Sequence, residues 1–382
     1  MSVPRIEPSP ATAFSDALSA FTFRAEESGP IQFLMPAGTL VHHPDHTPGY
    51  DPGRLRAFYR DMMMARSIDT EATALQRQGE LGLWPPLAGQ EAAQIGSAHA
   101  LRADDYAFPS YREHGVAWCR GVDPVDVVRL YRGVTNGGWD PREKNFHLYT
   151  LVVGSHALHA TGYAMGLAKR GSDAAVIAYF GDGATSEGDV AEAFTFAAVY
   201  DAPVVFFCQN NQWAISEPVE RQLRGPLYQR AHGFGFPGVQ VDGNDVLAVH
   251  AVTQAALEHV RTGNGPFFIE ASTYRMGAHT TSDDPTRYRR AAELDEWRAK
   301  DPIDRVRTHL ISEGHATQEF FDGIDTEAAD LAYRIRRQVR TMPNPDRMEV
   351  FNHVYADGHT LVDEERAQFA AYQESFADEG AK

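Results

Sequence analysis

Residues 174–216 constrain the fold more tightly than any other stretch of the 382-residue chain. Residues 174–180, with the sequence AAVIAYF, form a short apolar run that ends at a glycine, which predicts a buried parallel strand. A helical pattern follows, and residues 203–208, PVVFFC, predict a second buried strand. Two such strands joined through a helix form a right-handed βαβ unit. The sequence therefore predicts an α/β fold built on a parallel sheet.

The helix between the two strands is predicted from a capping pattern and from its apolar residues. Ser186 is followed three residues later by Asp189, a spacing that is typical of a helix start. The apolar residues recur at helical intervals and are Val190, Ala193, Phe194 and Ala197. We therefore expect the helix to begin at Ser186.

Polar residues follow both strands at the point where each one ends. Gly181, Asp182 and Gly183 come directly after the first strand, and Asn210 and Asn211 follow the second. Because ligands bind at the carboxyl ends of parallel strands, we expect Asp182 and Asn211 to lie together at that edge of the sheet. Their oxygens are suitable ligands for Mg²⁺, and the N–H groups of a glycine turn and a helix start suit phosphate. The sequence predicts a site for a magnesium diphosphate.

Composition and charge exclude several other classes of protein. With 43% hydrophobic residues the chain can bury a large core, as one large domain or two smaller ones. The 35 basic and 52 acidic residues give a net charge of −17, which argues against a nucleic-acid partner. The sequence contains neither an apolar run of about 18 residues nor a basic segment followed by an apolar one at the N-terminus, so we expect no membrane span and no secretory signal.

The chain contains two cysteines, Cys119 and Cys208. Cys208 lies within a predicted buried strand, so a disulfide framework is not expected, and the predicted location is the reducing cytoplasm. Neither thiol is predicted to be catalytic.

Three regions follow from the distribution of patterns along the chain. Residues 1–50 are rich in Pro, Ser, Gly and His and predict an N-terminal arm, with one strand-like run at 31–35. Residues 51–315 alternate between helical and strand patterns and predict the α/β domain, with helices on both faces of the sheet. Residues 316–382 are helical in pattern and predict a C-terminal extension packed on that domain.

Two loops carry further candidate residues. Tyr111 and Arg112 lie in a predicted loop between helices, where the guanidinium group could bind a phosphate or form a surface salt bridge. His279 lies in the polar segment 273–285 and suits proton transfer near neutral pH, although a solvated loop histidine is the alternative. His156 and His159 have no third ligand nearby in the sequence, which favours packing or hydrogen bonding over metal binding.

These residues resemble a known family. The sequence from Gly181-Asp182-Gly183 to Asn210-Asn211 looks like the thiamin diphosphate motif, which begins with GDG and ends with NN at about this separation. Over residues 50–315 the chain resembles the α subunit of the heterotetrameric 2-oxo acid dehydrogenases, through segments that occur in the same order: 89–91, 111–113, 181–189, 209–216, 241–245 and 274–284.

The resemblance implies the thiamin-diphosphate-binding fold and a specific set of site residues. Asp182, Asn211 and the backbone carbonyl of Trp213 would bind Mg²⁺. The cofactor diphosphate would contact Tyr111 and Arg112, whereas Gln209 stands where some members have a charged residue, which leaves its contact open. The remaining implied cofactor contacts are Leu151 and Val153 beside the aminopyrimidine ring, Gly181, Gly183 and Ala184 in the turn, and His279 as the active-site histidine.

The same resemblance implies partners and an activity. A β subunit would complete the cofactor site within an α2β2 heterotetramer, so we expect the isolated chain to be inactive. The product acyl group would pass to the lipoyl group of an acyltransferase component. Sequence details favour branched-chain 2-oxo acids as substrates over pyruvate, and a non-catalytic regulatory subunit of the same fold is a third interpretation. Thr280 stands where animal members carry a regulated serine.

A nicotinamide dehydrogenase is not supported. Residues 233–238 match the GxGxxG pattern, but they precede the predicted strand 239–241. In dinucleotide-binding folds this pattern follows a strand and opens a helix.

Overall fold

A computed structural model describes residues 30–41, 51–135 and 137–376. The greater part of the predicted N-terminal arm, residues 1–29 and 42–50, lies outside the described residues. The strands β1 to β7 are Tyr106–Phe108, Val176–Gly181, Val204–Asn210, Trp213–Ala214, Glu217–Pro218, Gly238–Asp242 and Phe267–Ser272. The α-helices are Pro52–Arg77, Glu91–Ala100, His114–Cys119, Pro124–Arg132, Pro141–Lys144, Ser155–Lys169, Gly188–Val199, Val219–Gln222, Gln229–Gly233, Val246–Arg261, Ala291–Arg298, Pro302–Ser312, Gln318–Arg340 and Thr360–Glu374. Short 3₁₀ helices are Asp182–Ser186, Pro285–Arg287 and Arg347–Phe351.

Five strands form one parallel sheet, in the order β1-β2-β3-β7-β6. The two strands predicted from 174–180 and 203–208 are β2 and β3, and they pair from Val176 with Val204 to Gly181 with Gln209. The remaining strands, β4 and β5, form a two-stranded antiparallel ribbon. The predicted α/β fold with a parallel sheet is confirmed.

Helices cover both faces of the sheet because the strand order reverses direction. The chain steps from β1 to β2 to β3 in one direction and from β6 back to β7 in the other. Since such crossovers are right-handed, the two directions place their helices on opposite faces. Helices Ser155–Lys169 and Gly188–Val199 pack into one apolar cluster, and Val246–Arg261 packs into the other. The predicted helices on both faces are confirmed.

Strand β2 shows how one short run supplies both cores. Val176, Ala178 and Phe180 belong to the cluster on one face, while Ile177 and Tyr179 belong to the cluster on the other. Because successive strand side chains point to opposite faces, a strand that is buried on both sides must be apolar throughout. This requirement explains why residues 174–180 are apolar apart from the Tyr179 hydroxyl group, which donates to Ser97 at 3.0 Å.

The C-terminal helices differ in how they pack. Helix Gln318–Arg340 contacts helix Pro52–Arg77, and its buried residues, which include Phe321 and Ile335, join the same core. Helix Thr360–Glu374 has no buried residue. One apolar core contains residues from both sides of position 315. The predicted boundary between the α/β domain and the C-terminal extension at that position stays a prediction.

Three local predictions were wrong. Tyr111 and Arg112 lie in a loop, as predicted, but that loop follows strand β1 and not a helix, since β1 has three residues and is too short for its alternation to be visible in the sequence. Residues 31–35 form only isolated bridges, and the N–H groups of Phe33 and Leu34 donate to the Asp245 carboxylate and not to a neighbouring strand. Ser186 does not cap a helix, since it ends the 3₁₀ helix Asp182–Ser186 and the α-helix begins at Gly188.

No helix within the described ranges is both long and apolar enough to cross a bilayer. Cys119 and Cys208 are both free thiols. The predicted cytoplasmic location stays a prediction.

Candidate functional site

A cavity of about 210 Å³ lies at the carboxyl ends of β2 and β3. This position is where parallel α/β sheets bind their ligands. Most of the residues predicted for the site line this cavity: Tyr111, Arg112, Val153, Gly181, Asp182, Gly183, Ala184, Asn211, Trp213 and His279. The fold therefore brings together residues that are separated by more than 160 positions in the sequence.

Asp182 is a buried acid at the start of the turn that follows β2. It is only 1% exposed, and its carboxylate accepts a hydrogen bond from the Gln222 amide at 3.0 Å. Burial raises the pKa of this carboxyl group above its ordinary value. The turn lies against β4, where a Cβ atom on Gly183 would come within 2.7 Å of the Ala214 side chain, so a glycine is required there. A buried carboxylate with a neutral partner is suited to a cation.

The side chain of Asn211 is oriented by its neighbours. Its Nδ2 donates to Oε1 of Gln90 at 3.2 Å, and its Oδ1 accepts from the backbone N–H of Trp213 at 3.3 Å. The Nε2 group of Gln90 is buried and has no hydrogen-bond partner among the described residues. An unpaired buried donor is costly, which favours a ligand oxygen at this side of the cavity.

Two arginines place positive charge in the cavity wall. Arg112 is 5% exposed and Arg275 is fully buried. Arg112 donates to the carbonyl of Pro86 at 2.6 Å, while Arg275 donates to the carbonyls of Trp213 and Ile215 at 3.1 and 2.7 Å. Burial and the nearby Arg112 lower the pKa of Arg275 to about 10. Two adjacent buried guanidinium groups that contact carbonyl oxygens form a strong anion-binding arrangement.

His279 lies between these two arginines. Its Nδ1 is 3.4 Å from Nη2 of Arg112 and 3.5 Å from Nη1 of Arg275. Since guanidinium groups only donate, Nδ1 is the acceptor and the ring proton is on Nε2. Burial, together with the charges of Arg112 and Arg275, lowers the pKa of His279 to about 3. The imidazole is therefore neutral at physiological pH and presents an N–H donor.

The segment that precedes the helix Glu91–Ala100 is a supporting element that the sequence analysis missed. The buried carboxylate of Asp69 accepts hydrogen bonds from the Trp84 indole and from the backbone N–H groups of Leu87 and Ala88, at 2.8 to 3.1 Å. This anchor positions the Pro86 carbonyl that Arg112 contacts. The sequence feature that could have indicated this element is Asp69, an acidic residue on the buried side of the helix Pro52–Arg77.

A polar network lies beneath the cavity. Gln209 donates to the carboxylate of Glu113 at 2.7 Å and accepts from Gln94 at 3.0 Å. Gln94 also donates to the carbonyl of Arg112 at 3.0 Å. Gln209 is thus paired on both sides of its amide, and its diphosphate contact stays open. The network supports the backbone that carries Arg112.

His156 forms part of the cavity wall, as Nε2 donates to the Tyr179 carbonyl at 2.6 Å. The prediction of a hydrogen-bonding role is therefore confirmed. Its buried Nδ1 has no partner among the described residues. Burial lowers the pKa of His156 to about 4, so the ring is neutral at physiological pH.

Apolar residues are exposed at the rim of the cavity. Leu151, Val152 and Ile215 are 62%, 71% and 57% exposed. Val153 and Ile215 line the cavity, whereas Leu151 is not part of the lining, and its cofactor contact stays a prediction. Large apolar side chains clustered on a surface are typical of a site that a partner covers.

Comparisons with known proteins agree with this geometry. Residues 59–345 match the family model described as dehydrogenase E1 component. A 3-methyl-2-oxobutanoate dehydrogenase subunit alpha from Mycobacterium tuberculosis is 45% identical over 343 residues, which cover 90% of this chain and 94% of the relative. The chain belongs to the dehydrogenase E1 component family.

Other members of the E1 family are similar over a shorter stretch. The pyruvate dehydrogenase E1 component subunit alpha from Staphylococcus epidermidis is 40% identical over 286 residues, covering 74% of this chain and 77% of the relative. The corresponding Staphylococcus aureus subunit gives the same values. This family of 2-oxo acid dehydrogenases is dependent on thiamin diphosphate in general. All three relatives are named as α subunits, which implies a β subunit in each of their enzymes.

Proposed function

We propose that the chain is the α subunit of a branched-chain 2-oxo acid dehydrogenase. The enzyme would decarboxylate 2-oxo acids of the 3-methyl-2-oxobutanoate type and transfer the acyl group to a lipoyl group of an acyltransferase component. The observation that carries this proposal is the charge pattern of the cavity. Asp182, Arg112 and Arg275 are buried there, and the hydrogen bonds of their side chains go to neutral groups. Such a cavity fits a ligand that carries both a cation and an anion.

The cation would be Mg²⁺. Asp182 and Asn211 supply side-chain oxygens, and Trp213 supplies its backbone carbonyl. The Trp213 carbonyl accepts from Arg275 at 3.1 Å, but a carbonyl oxygen has two lone pairs and can serve a metal as well. Hard oxygen donors of this kind suit Mg²⁺, which keeps water and phosphate oxygens as its other ligands.

The anion would be the diphosphate of the cofactor. Arg112 would bind it through charge-assisted hydrogen bonds, with Tyr111 beside its guanidinium group. The unpaired Nε2 of Gln90 and the N–H groups of the turn at Gly183 and Ala184 add donors. The start of the 15-residue helix Ser155–Lys169 also faces the cavity, and its dipole favours negative charge.

The chemistry that bound thiamin diphosphate would supply is nucleophilic attack on the 2-oxo carbon and an acceptor for the electrons left by departing CO₂. The chain's own residues bind and orient the reacting groups. His279 presents its Nε2–H as a neutral donor, which can stabilise negative charge on the substrate oxygen. The pKa of His279 is low because of burial and of two guanidinium charges, and a bound diphosphate would offset those charges.

A β subunit would complete the site, in an α2β2 heterotetramer. The cavity of about 210 Å³ would accommodate the diphosphate end of the cofactor, but it is smaller than typical cofactor pockets of about 300–1,000 Å³. Its rim exposes Leu151, Val152 and Ile215, which a second chain would cover. We therefore expect the isolated α subunit to be inactive.

The similar proteins support a branched-chain substrate. The relative named for 3-methyl-2-oxobutanoate is 45% identical over 90% of this chain, compared with 40% over 74% for the pyruvate relative. Substrates that differ by one or two methylene groups differ by only about 1–3 kcal/mol in binding to a pocket. Pyruvate is therefore the alternative that the experiment must exclude.

The test is to co-express the chain with a β subunit from the same organism and to measure decarboxylation of 3-methyl-2-oxobutanoate, 2-oxobutanoate and pyruvate. We expect the highest kcat/KM with the branched substrate and no turnover by the α subunit alone. A preference for pyruvate would reassign the substrate. A cofactor-loaded complex that decarboxylates none of the three would instead indicate the non-catalytic subunit.

A further inference from the structure

Asp61, His99 and Cys119 meet on one side of the fold, away from the cavity. They come from three different helices, Pro52–Arg77, Glu91–Ala100 and His114–Cys119. One potential ligand atom from each lies within 4.8 Å of the other two. We propose that these three side chains bind a thiophilic divalent transition metal such as Zn²⁺, with water as the fourth ligand.

The spacing of the His99 and Asp61 ligand atoms is close to that of a tetrahedral site. His99 Nε2 and Asp61 Oδ2 are 2.7 Å apart and share a hydrogen bond. Zinc bonds of about 2.0–2.2 Å to nitrogen and oxygen require a separation of about 3.4 Å in a tetrahedron. The His99 side chain is 26% exposed and stands in the last turn of its helix, so its ring can shift by the required fraction of an ångström.

Groups that orient the ligands are already in place. The Trp118 indole and Arg60 both donate to Oδ1 of Asp61 at 3.0 Å, which leaves Oδ2 for the metal. The ring of Phe58 packs edge-on against His99, with ring centroids 5.0 Å apart. Hydrogen bonds to a ligating carboxylate are a regular feature of protein metal sites, because they fix the ligand's direction.

The donor set selects the metal. A thiolate, an imidazole and a carboxylate suit Zn²⁺, whereas Mg²⁺ prefers oxygen ligands alone. The side chains of Asp61 and His99 are 13% and 26% exposed, which gives a path for the ion and space for a water ligand. A thiol binds a metal as its thiolate, so binding must release the Cys119 proton to solvent and tighten as pH rises.

The site is separate from the cofactor cavity. His99 lies nine positions beyond Gln90, at the opposite end of the helix Glu91–Ala100, which corresponds to about 13 Å along the axis. None of the three ligands lines the cavity. Metal binding would join three helices and stabilise the folded chain by an amount that grows with the logarithm of metal concentration above the dissociation constant. This stabilisation does not depend on whether the proposed catalytic function is correct.

The experiment uses the assembled α/β complex, freed of transition metals with a chelator and then saturated with Mg²⁺ and thiamin diphosphate. Cobalt(II) is added as a spectroscopic probe, since a thiolate bound to Co²⁺ gives a near-ultraviolet charge-transfer band. We expect one Co²⁺ per α chain with this band, its displacement by Zn²⁺, and tighter binding at higher pH. Absence of the band would overturn the proposal.

Four variants separate a built site from adventitious binding. Cys119→Ser and His99→Gln should each weaken Zn²⁺ binding by at least about 10²-fold, and Trp118→Phe by about 10-fold, because it removes only a supporting hydrogen bond. His353→Gln, which changes an exposed histidine elsewhere, should leave the affinity unchanged. Circular dichroism and cofactor binding would report whether each variant is folded. Unchanged Zn²⁺ affinity in a folded Cys119→Ser complex would overturn the proposal.

Discussion

Buried arginines in this molecule are of two kinds. Away from the cavity, Arg261 pairs with Asp105 and Arg305 pairs with Asp242, and both guanidinium groups are at most 7% exposed. At the cavity, Arg112 and Arg275 are equally buried, yet they contact carbonyl oxygens. Backbone carbonyls satisfy the N–H donors of a guanidinium group but do not neutralise its charge.

The difference separates stabilising charge from functional charge. A buried ion pair compensates its own desolvation within the folded chain, and removing one partner leaves a charge that nothing offsets. A buried guanidinium group whose hydrogen bonds go to neutral groups has no direct ion pair within the chain and can bind an anionic ligand. Substitutions in the two regions should therefore affect different quantities. In the paired region they should lower the stability of the fold, and at the cavity they should lower the affinity for the ligand.

The largest effect is expected from Asp105→Asn in the paired region. The Asp105 carboxylate binds Arg261 and accepts backbone hydrogen bonds from Ala175 at 2.8 Å and Arg102 at 2.7 Å. The substitution leaves a buried, unpaired Arg261, which should lower the free energy of unfolding by about 3–5 kcal/mol. Urea denaturation of the cofactor-free α/β complex, followed by tryptophan fluorescence, measures this change.

A matched control uses an exposed pair. Arg298 and Asp295 form an ion pair in which both side chains are more than 60% exposed. Solvent screens such pairs, so Asp295→Asn should leave the unfolding midpoint nearly unchanged. If the Asp105→Asn and Asp295→Asn variants unfolded at the same urea concentration, the buried ion pair would stabilise the fold no more than the exposed one. That result would contradict the assignment of the paired region to stability.

Arg112→Met should have the second largest effect, and on a different quantity. Charge-assisted hydrogen bonds are worth about 1.5–3 kcal/mol each, so we expect thiamin diphosphate affinity to fall by at least about 10²-fold. The cofactor-free complex should keep most of its stability, because the lost contacts with Pro86 and His279 are offset by removal of a buried charge whose side-chain hydrogen bonds go to neutral groups. Isothermal titration with the cofactor and urea denaturation without it measure the two quantities.

Arg261→Met provides the opposite case. It removes an equally buried guanidinium from the paired region and should lower stability while leaving cofactor affinity unchanged. Arg112→Lys keeps the charge without the planar fork and should recover part of the affinity. An Arg112→Met complex that lost stability but bound the cofactor normally would show that Arg112 is structural.

Sequence reasoning found the sheet because the sheet is encoded locally. The runs at 174–180 and 203–208 are apolar throughout, as strands buried on both faces must be, and both became central strands. Strand β1 has only three residues, so no periodicity could reveal it. The behaviour of residues 31–35 depends on Asp245, more than 200 positions away, and no local pattern contains that contact.

The candidate site was predictable where a residue follows directly from a strand end or from the family resemblance. Asp182 and Asn211 belong to the first group, and His279 belongs to the second. Arg275 lies within a segment that carried the resemblance, but its role follows from burial and from its contacts with the Trp213 and Ile215 carbonyls. Those properties arise only when distant segments pack together.

His279→Ala should reduce turnover while sparing cofactor binding. A neutral donor or proton carrier of this kind contributes about 10²-fold or more to the reaction rate. We therefore expect decarboxylation and acyl transfer to fall by about 10²-fold, with thiamin diphosphate affinity close to that of the unchanged enzyme. Single-turnover kinetics on the α/β complex would separate the two steps, and full activity in the variant would remove His279 from the mechanism.

The pKa of His279 offers an independent test of the same arrangement. Burial and the charges of Arg112 and Arg275 lower it to about 3 in the cofactor-free chain. Inorganic diphosphate should offset the two charges and raise the pKa, which nuclear magnetic resonance of the imidazole ring can follow. A pKa that diphosphate leaves unchanged would show that the anion binds away from these arginines.

The smallest effect concerns the pH dependence of stability and the cavity-wall residue His156. Burial lowers its pKa from 6.5 to about 4. Between these pH values the unfolded chain binds a proton that the folded chain does not, so His156 makes stability fall as pH falls, by at most about 1.4 kcal/mol per pH unit.

His156→Gln removes this titration but keeps an N–H donor for the Tyr179 carbonyl. Urea denaturation of the cofactor-free complex at several pH values between 6.5 and 4 measures the slope of the unfolding free energy against pH. The slope should be smaller in the variant than in the unchanged complex, by the equivalent of up to one proton taken up on unfolding. An identical slope would mean that His156 is already protonated in the folded chain. In that case the cavity wall would carry a third positive charge in addition to Arg112 and Arg275. The cavity would then differ even more from the region in which each buried arginine has an acidic partner.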